Sequence, residues 1–217
     1  MPEPPSRPAL RARWERRRRE IVGAAAKLFA ERGFQATSIA DLTAATGLAA
    51  GGIYHYFEGK DDLLTAICDE LLEPLLVEAR AVVAAEPGAE EQLRRLVTLW
   101  VEHAAAHRFH LLVFAQERHA LETRARWRHI RAQRREFEEI LEAVLVRGER
   151  DGTMVFADRR LALLALLGMV NYMPVWLRPR GRLSPAEIAD GYLAIVLGEA
   201  RVSRPPRSRP RDVRSKG

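Results

Sequence analysis

The stretch from Thr37 to Phe57 constrains this chain more than any other, because it reads as two short helices joined by a tight turn. Thr37 and Ser38 carry side-chain oxygens able to accept a backbone N–H at a helix start. Ile39, Leu42 and Thr43 recur at helical spacing, and Thr46-Gly47 closes the segment with the residue that tolerates a left-handed turn. Ile53 and Phe57, four apart, give a second helix a buried face and leave Ala50, Gly51, Tyr54 and His55 pointing elsewhere. Two such helices form a helix-turn-helix, whose second helix fits a DNA major groove.

The rest of the sequence predicts an all-α chain, with no strand-like alternation anywhere. Residues 1–11 read as a disordered, basic, Pro-rich arm, followed by a first helix over 12–32 that Gly33 ends. A long helix starts at Lys60-Asp-Asp and runs toward residue 85, with a kink or break expected at Pro74. Glu86-Pro87-Gly88 is a turn. From residue 89 one apolar stripe, Leu93, Val97, Trp100, Ala104, His107, Leu111 and Phe114, predicts a helical stretch with room for a break near 107. A helix over 121–150 and an almost wholly apolar one over 158–178 follow. Ser184-Pro-Ala-Glu187 opens a last helix as a capping box. The expected domains are a three-helix head over 12–59, a larger helical domain over 60–201 for ligand binding and dimerisation, and a disordered basic tail over 202–217.

Charge and composition narrow the function. The net charge is +6, yet residues 1–20 hold seven arginines against three glutamates, and residues 201–217 hold seven basic groups against Asp212. The body is therefore mildly acidic and the ends basic, which favours polyanions through counterion release. The lone Cys68 rules out an intramolecular disulfide and fits a cytoplasmic, nucleoid-associated protein. Charged opening residues predict no secretory signal. The longest apolar run, Leu161–Leu177, is too short to span a bilayer and contains Asn171 and Pro174, so no membrane partner is expected.

Two segments resemble a known family. Ala25-Ala-Lys-Leu-Phe-Ala-Glu-Arg-Gly-Phe-Gln-Ala-Thr-Ser-Ile39 and Gly52-Ile-Tyr-His-Tyr-Phe-Glu-Gly-Lys-Asp-Asp-Leu-Leu64 are similar to the TetR family of transcriptional repressors, covering its first helix and its recognition helix. More loosely, Gly168 to Ala189, with Asn171, Trp176, Arg178-Pro179 and Gly181, resembles the acyl-CoA-responsive branch that controls fatty-acid and sterol degradation. Tyr172-Met173-Pro174 departs from that branch. The resemblance implies a homodimeric repressor that binds a palindromic operator and is released by a small amphiphile such as an acyl-CoA thioester, with no cofactor.

The resemblance further implies that Thr37, Tyr54, His55, Tyr56 and Lys60 hold phosphates or approach base edges. Tyr56 reads equally as a core aromatic. Ala49 and Ala50 replace the family's usual polar residues and Gly51-Gly52 follow, so readout there falls to close backbone approach, thymine methyls and DNA shape. Arg134 interrupts the stripe Trp127, Ile130, Phe137, Leu141, Val144, and a guanidinium there needs a neighbouring carboxylate, a route to water or an anionic ligand. Trp127, Arg131, Arg134, Phe137, Asn171 and Trp176 are the candidate ligand residues. Gly168, Ile188, Tyr192 and Ile195 are the candidate dimer contacts. His103, His107 and His110 lack the further ligands that a metal site requires. No nucleophile, base and orienting acid occur together, so no catalytic residue is expected. A non-specific nucleic-acid-binding protein acting through its basic tails is the alternative reading.

Overall fold

A computed structural model describes residues 2–49, 51–178 and 181–198. These residues form α-helices and two 3-10 turns, without a strand among them. The expected tail over 202–217 lies outside the described residues.

Helix α1 spans Pro8–Arg32. It starts four residues earlier than expected, since Pro8 occupies the first turn, where its missing N–H forfeits nothing. The arm expected over 1–11 is therefore helical from residue 8. Gly33, at φ 87°, ends the helix by donating its N–H to the Phe29 carbonyl. Helix α2, Ile39–Thr46, is opened by Ser38 alone: its hydroxyl accepts the Asp41 N–H, and the Asp41 carboxylate accepts the Ser38 N–H at 2.8 Å. The Ser38 hydroxyl also donates to the Asp41 carboxylate, and this bond, followed by the one from the Ser38 N–H, holds the Asp41 carboxyl below the usual carboxylate range. Gly47 closes α2 in the left-handed region at φ 65°. The expected second helix of the motif is a single 3-10 turn, Gly52–His55, entered through Gly51 at φ 79°.

Helix α3, Lys60–Ala85, passes through Pro74 without a break. Eleven buried residues on its inner face hold it against the rest of the chain and outweigh one missing hydrogen bond. Helices α4, Ala89–Ala106, and α5, Arg108–Gln116, are separated at His107, where the stripe allowed a break. The helix expected over 121–150 is interrupted. A short α6, Arg118–Thr123, gives way to a 3-10 turn, Ala125–Trp127, and α7 runs only over Arg128–Arg150. The interruption has a visible cause: the Arg131 guanidinium takes the carbonyls of Leu121 and Arg124 at 2.8 and 2.9 Å, satisfying groups that a continuing helix would have bonded. Asp158 caps α8, Arg159–Trp176, and the Ser184–Glu187 capping box opens α9, Pro185–Val196.

The buried side chains form two clusters. One gathers Ile21, Phe29, Leu42, Ile53, Phe57, Leu63 and Ile67 from the head. It is closed by Val113, Leu121, Trp127 and Ile130, which come from α5, α6, the 3-10 turn after it and the start of α7. The other gathers Leu71, Leu75, Leu93, Trp100, Phe137, Leu141, Leu166, Ile188 and Leu193. Helix α3 belongs to both, so the division expected at residue 60 falls at the start of a shared strut. Cys68 is buried on that strut, and burial pushes its thiol pKa up, which leaves it unreactive. No helix among the described residues is long and apolar enough to cross a membrane.

Helix α8 is apolar on both faces, and only one is covered. Leu163, Leu166, Val170 and Met173 are buried, whereas Leu161, Leu164, Tyr172, Val175 and Trp176 are 42–64% exposed.

Candidate nucleic-acid interface and effector pocket

The 3-10 turn is pinned from beneath by Ile53 and Phe57, both fully buried, and it presents Tyr54 and His55 to solvent. Tyr54 is 55% exposed. Tyr56 is half-buried and stacks on Trp14 at 5.5 Å between ring centroids, so packing and exposure share this residue. A Cβ on Gly52 would lie 3.1 Å from the Leu48 Cβ, tight enough to push the turn away from α2. Gly51 needs its positive φ. These glycines therefore set the turn's geometry and bring backbone to the surface. Ala50 lies outside the described residues.

Two expected phosphate ligands, Thr37 and Lys60, donate to backbone carbonyls. Thr37 is 1% exposed, and its hydroxyl donates to the Gly33 carbonyl at 2.8 Å. It closes the α1–α2 turn. Lys60 turns its ammonium back onto the same turn, donating to the carbonyls of Phe34, Gln35 and Thr37 at 2.9, 3.3 and 2.8 Å, over the Phe34 ring. All three donors are in use, because the end of α1 and the start of α2 leave carbonyls unpaired there.

In the larger domain, an apolar recess of about 40 Å³ lies between α3, α4, α5, α7 and α8. Leu71, Leu75, Trp100, Leu111, Phe114, Phe137 and Leu167 form its walls, and His103, Arg134, Glu138 and Asn171 are its polar members. It adjoins an outer cleft of about 340 Å³ that adds Arg118, Leu164 and Gly168. Of the expected ligand residues, Arg134, Phe137 and Asn171 meet here. Trp127 does not: it is fully buried under the head, with its indole N–H donating to the Thr65 hydroxyl at 3.1 Å. Arg131 is committed to the carbonyls that end α6, and Trp176 lies on the outer face of α8. Arg134 is ion-paired with Glu122 and, at 3.4 Å, with Glu138, so it has neighbouring carboxylates.

His103 was not a candidate ligand residue, although it sits beside the stripe that lines the recess. Its Nε2–H donates to the Leu71 carbonyl at 2.7 Å, and its ring stacks on His107 at 4.1 Å. Burial, then the neighbouring His107, lowers its pKa to about 4. The imidazole is thus neutral at physiological pH. No cluster of three potential metal ligands occurs among the described residues.

Of the expected dimer contacts, Ile195 is 62% exposed and Gly168 is exposed with nothing within 4 Å of an added Cβ. Tyr192 is half-buried and donates to the Met169 carbonyl at 3.2 Å. Ile188 is 3% exposed and belongs to the core, since it faces back toward α4 one turn into α9.

Comparison with known proteins agrees with this geometry. Residues 21–67 match the family described as bacterial regulatory proteins, tetR family, and residues 86–199 match the tetracyclin repressor-like, C-terminal domain. The chain is 32% identical over 182 residues to the HTH-type transcriptional repressor KstR2 of Rhodococcus jostii, covering 83% of this chain and 89% of the relative. The structure of the ketosteroid transcriptional regulator KstR2 of Mycobacterium tuberculosis superposes with a TM-score of 0.79 at 27% identity, over 84% of this chain and 94% of that one. AibR, solved in complex with isovaleryl coenzyme A and operator DNA, superposes with a TM-score of 0.72 at 25% identity, over 83% of this chain and 98% of its own.

Proposed function

The chain belongs to the TetR family of helix-turn-helix transcriptional regulators, and on that premise we propose that it is a homodimeric repressor released from its operator by an acyl-CoA thioester. The family is one of regulators and not of enzymes. KstR2 is a repressor, and AibR, solved with isovaleryl coenzyme A and operator DNA together, supports a coenzyme A thioester as the ligand, whereas release from DNA is this proposal's own step.

The observation that carries the effector reading is an apolar recess whose mouth is lined by Arg118 and Arg134. An amphiphile with an anionic head matches that layout better than a sugar does. Arg118 has no carboxylate partner among the described residues, while Arg134 must exchange Glu122 or Glu138 for a ligand oxygen. The recess holds little free volume, so an acyl chain enters only as the wall side chains move. Ligand then favours a different packing of α5 and α7, which also close the head's core. Differential affinity for the two packings is what shifts the population away from the operator-binding state. The outer face of α8 and Ile195 supply apolar surface for a four-helix contact between protomers. Two heads so joined meet successive major grooves of a palindrome, about 34 Å apart. Binding through the basic tails alone is disfavoured, since the head itself matches the family.

The test is titration of preformed protein–operator complex with acyl-CoA thioesters of increasing chain length and the matching free acids. Release strengthens with each methylene, by about 0.8 kcal/mol, until the recess is full. Arg118→Ala with Arg134→Ala weakens release without weakening operator binding. Release by no member of the series refutes the effector class.

A further inference from the structure

Helix α1 begins before the segment that matches the family, and Pro8–Glu20 lies wholly outside that match. This extension carries six arginines against two glutamates. It does not project freely. Leu10, Arg13, Trp14 and Arg17 fall on one helical face, and that face is fixed to both halves of the DNA-binding motif. Trp14 stacks on Tyr56, and its indole N–H donates to the His55 carbonyl at 3.4 Å. Arg17 donates to the Thr46 carbonyl, the last residue of α2, at 2.8 Å. Between the extension and the recognition turn runs an open groove of about 730 Å³, with Arg13 and Arg16 along one side and Tyr56 at its edge.

The arginines beside the groove differ in what they already hold. Arg17 is bound to Glu20 at 2.7 Å as well as to Thr46, so the groove's carboxylate is neutralised and Arg17 is an anchor. Arg13 and Arg16 are exposed and have no carboxylate or carbonyl partner among the described residues. Two guanidiniums held three residues apart, on a helix locked against the recognition turn, present a fixed pair of phosphate donors. The recognition turn itself is poor in long polar side chains, with Ala49, Gly51 and Gly52 leading into it. Tyr54 and His55 are its exposed polar side chains, so further phosphate contacts from outside the turn add to what those two supply.

We propose that the Pro8–Glu20 extension is a second DNA-contacting element, in which Arg13 and Arg16 hold backbone phosphates beside the groove that the recognition turn enters. The inference rests on the regulator reading above and adds contacts to it. The contacts position the head and are indifferent to base sequence. They strengthen binding to operator and to random duplex alike.

The experiment uses the full chain and the duplex it protects in a footprint of DNA upstream of its own coding sequence. Association is measured across a salt series for wild type, R13A/R16A, R13K/R16K and Arg135→Ala. Arg135 is exposed on α7, far along the chain from the head, and controls for net charge alone. R13A/R16A makes the slope of log affinity against log salt shallower by about 1.8 per protomer, about 0.9 for each lost phosphate. R13K/R16K and Arg135→Ala keep the wild-type slope. Thermal melting checks the fold, and if the double variant melts early, R13Q and R16Q singly decide, each removing about half the change. An unchanged slope in R13A/R16A, or an equal loss in Arg135→Ala, overturns the inference. A wild-type protein that protects no discrete sequence instead overturns the regulator reading beneath it, a result independent of Arg13 and Arg16.

Discussion

Replacing Lys60 with methionine separates the two roles available to this residue. Methionine keeps an apolar stem of similar length but removes an ammonium that lies over the Phe34 ring and donates to three carbonyls at 2.8–3.3 Å. A net hydrogen bond stabilises by about 0.5–1.5 kcal/mol, more with a charged donor, and water recovers part of the loss at this half-exposed site. The expected destabilisation is about 2–3 kcal/mol. In a chain of this size that lowers the melting temperature by about 4–12 °C. Circular dichroism melts of the DNA-free protein measure the first effect, and a salt series of operator binding measures the second. The structure predicts a large drop in melting temperature, weaker operator binding through a loosened α1–α2 turn, and a salt slope close to wild type. An unchanged melt with a slope shallower by about 0.9 would refute this reasoning and make Lys60 a phosphate ligand after all.

Other positions give independent checks. Trp127→Ala should destabilise the protein by about 3–5 kcal/mol and abolish operator binding, because Trp127 closes the head's core; a folded variant defective only in effector response would return it to the ligand pocket. His103 is held neutral, with its pKa lowered from 6.5 to about 4, so its contribution is complete above pH 6.5 and is lost as pH falls from there toward 4, where the unfolded chain binds a proton that the folded one excludes. His103→Gln should flatten the decline of urea midpoints across that window, and an unaltered decline would assign it elsewhere. Ile188→Ala should cost about 2–5 kcal/mol without changing oligomeric mass, whereas Ile195→Arg should change mass by light scattering with little loss of monomer stability; the reverse pattern would exchange their roles.

The fold was legible where local chemistry and burial agree. Ser184 and Glu187 read as a capping box and form one, Gly33 and Gly47 end helices as glycine should, and the stripe break near 107 is a real boundary. Spacing is silent where long-range contacts decide. Trp127 belongs to an α7 stripe by spacing, yet its partner is Thr65, 62 positions earlier. Lys60 and Thr37 are polar residues in a DNA-binding motif, and only the folded turn shows that carbonyls within reach claim both. Nothing local marks Pro74 as tolerated, because the burial that holds α3 straight comes from other helices. Of the ligand candidates, Arg134, Phe137 and Asn171 do reach one recess. Glu122 fell inside the helix expected over 121–150 and Arg118 just before it, so spacing alone did not bring either to the recess.

The most direct test of a dimeric, ligand-released repressor is native mass spectrometry of the full chain on the duplex it protects, with and without added acyl-CoA. The account predicts two chains per palindrome and free DNA once the thioester is bound. One chain per duplex, or a complex that keeps both protein and thioester, would contradict it.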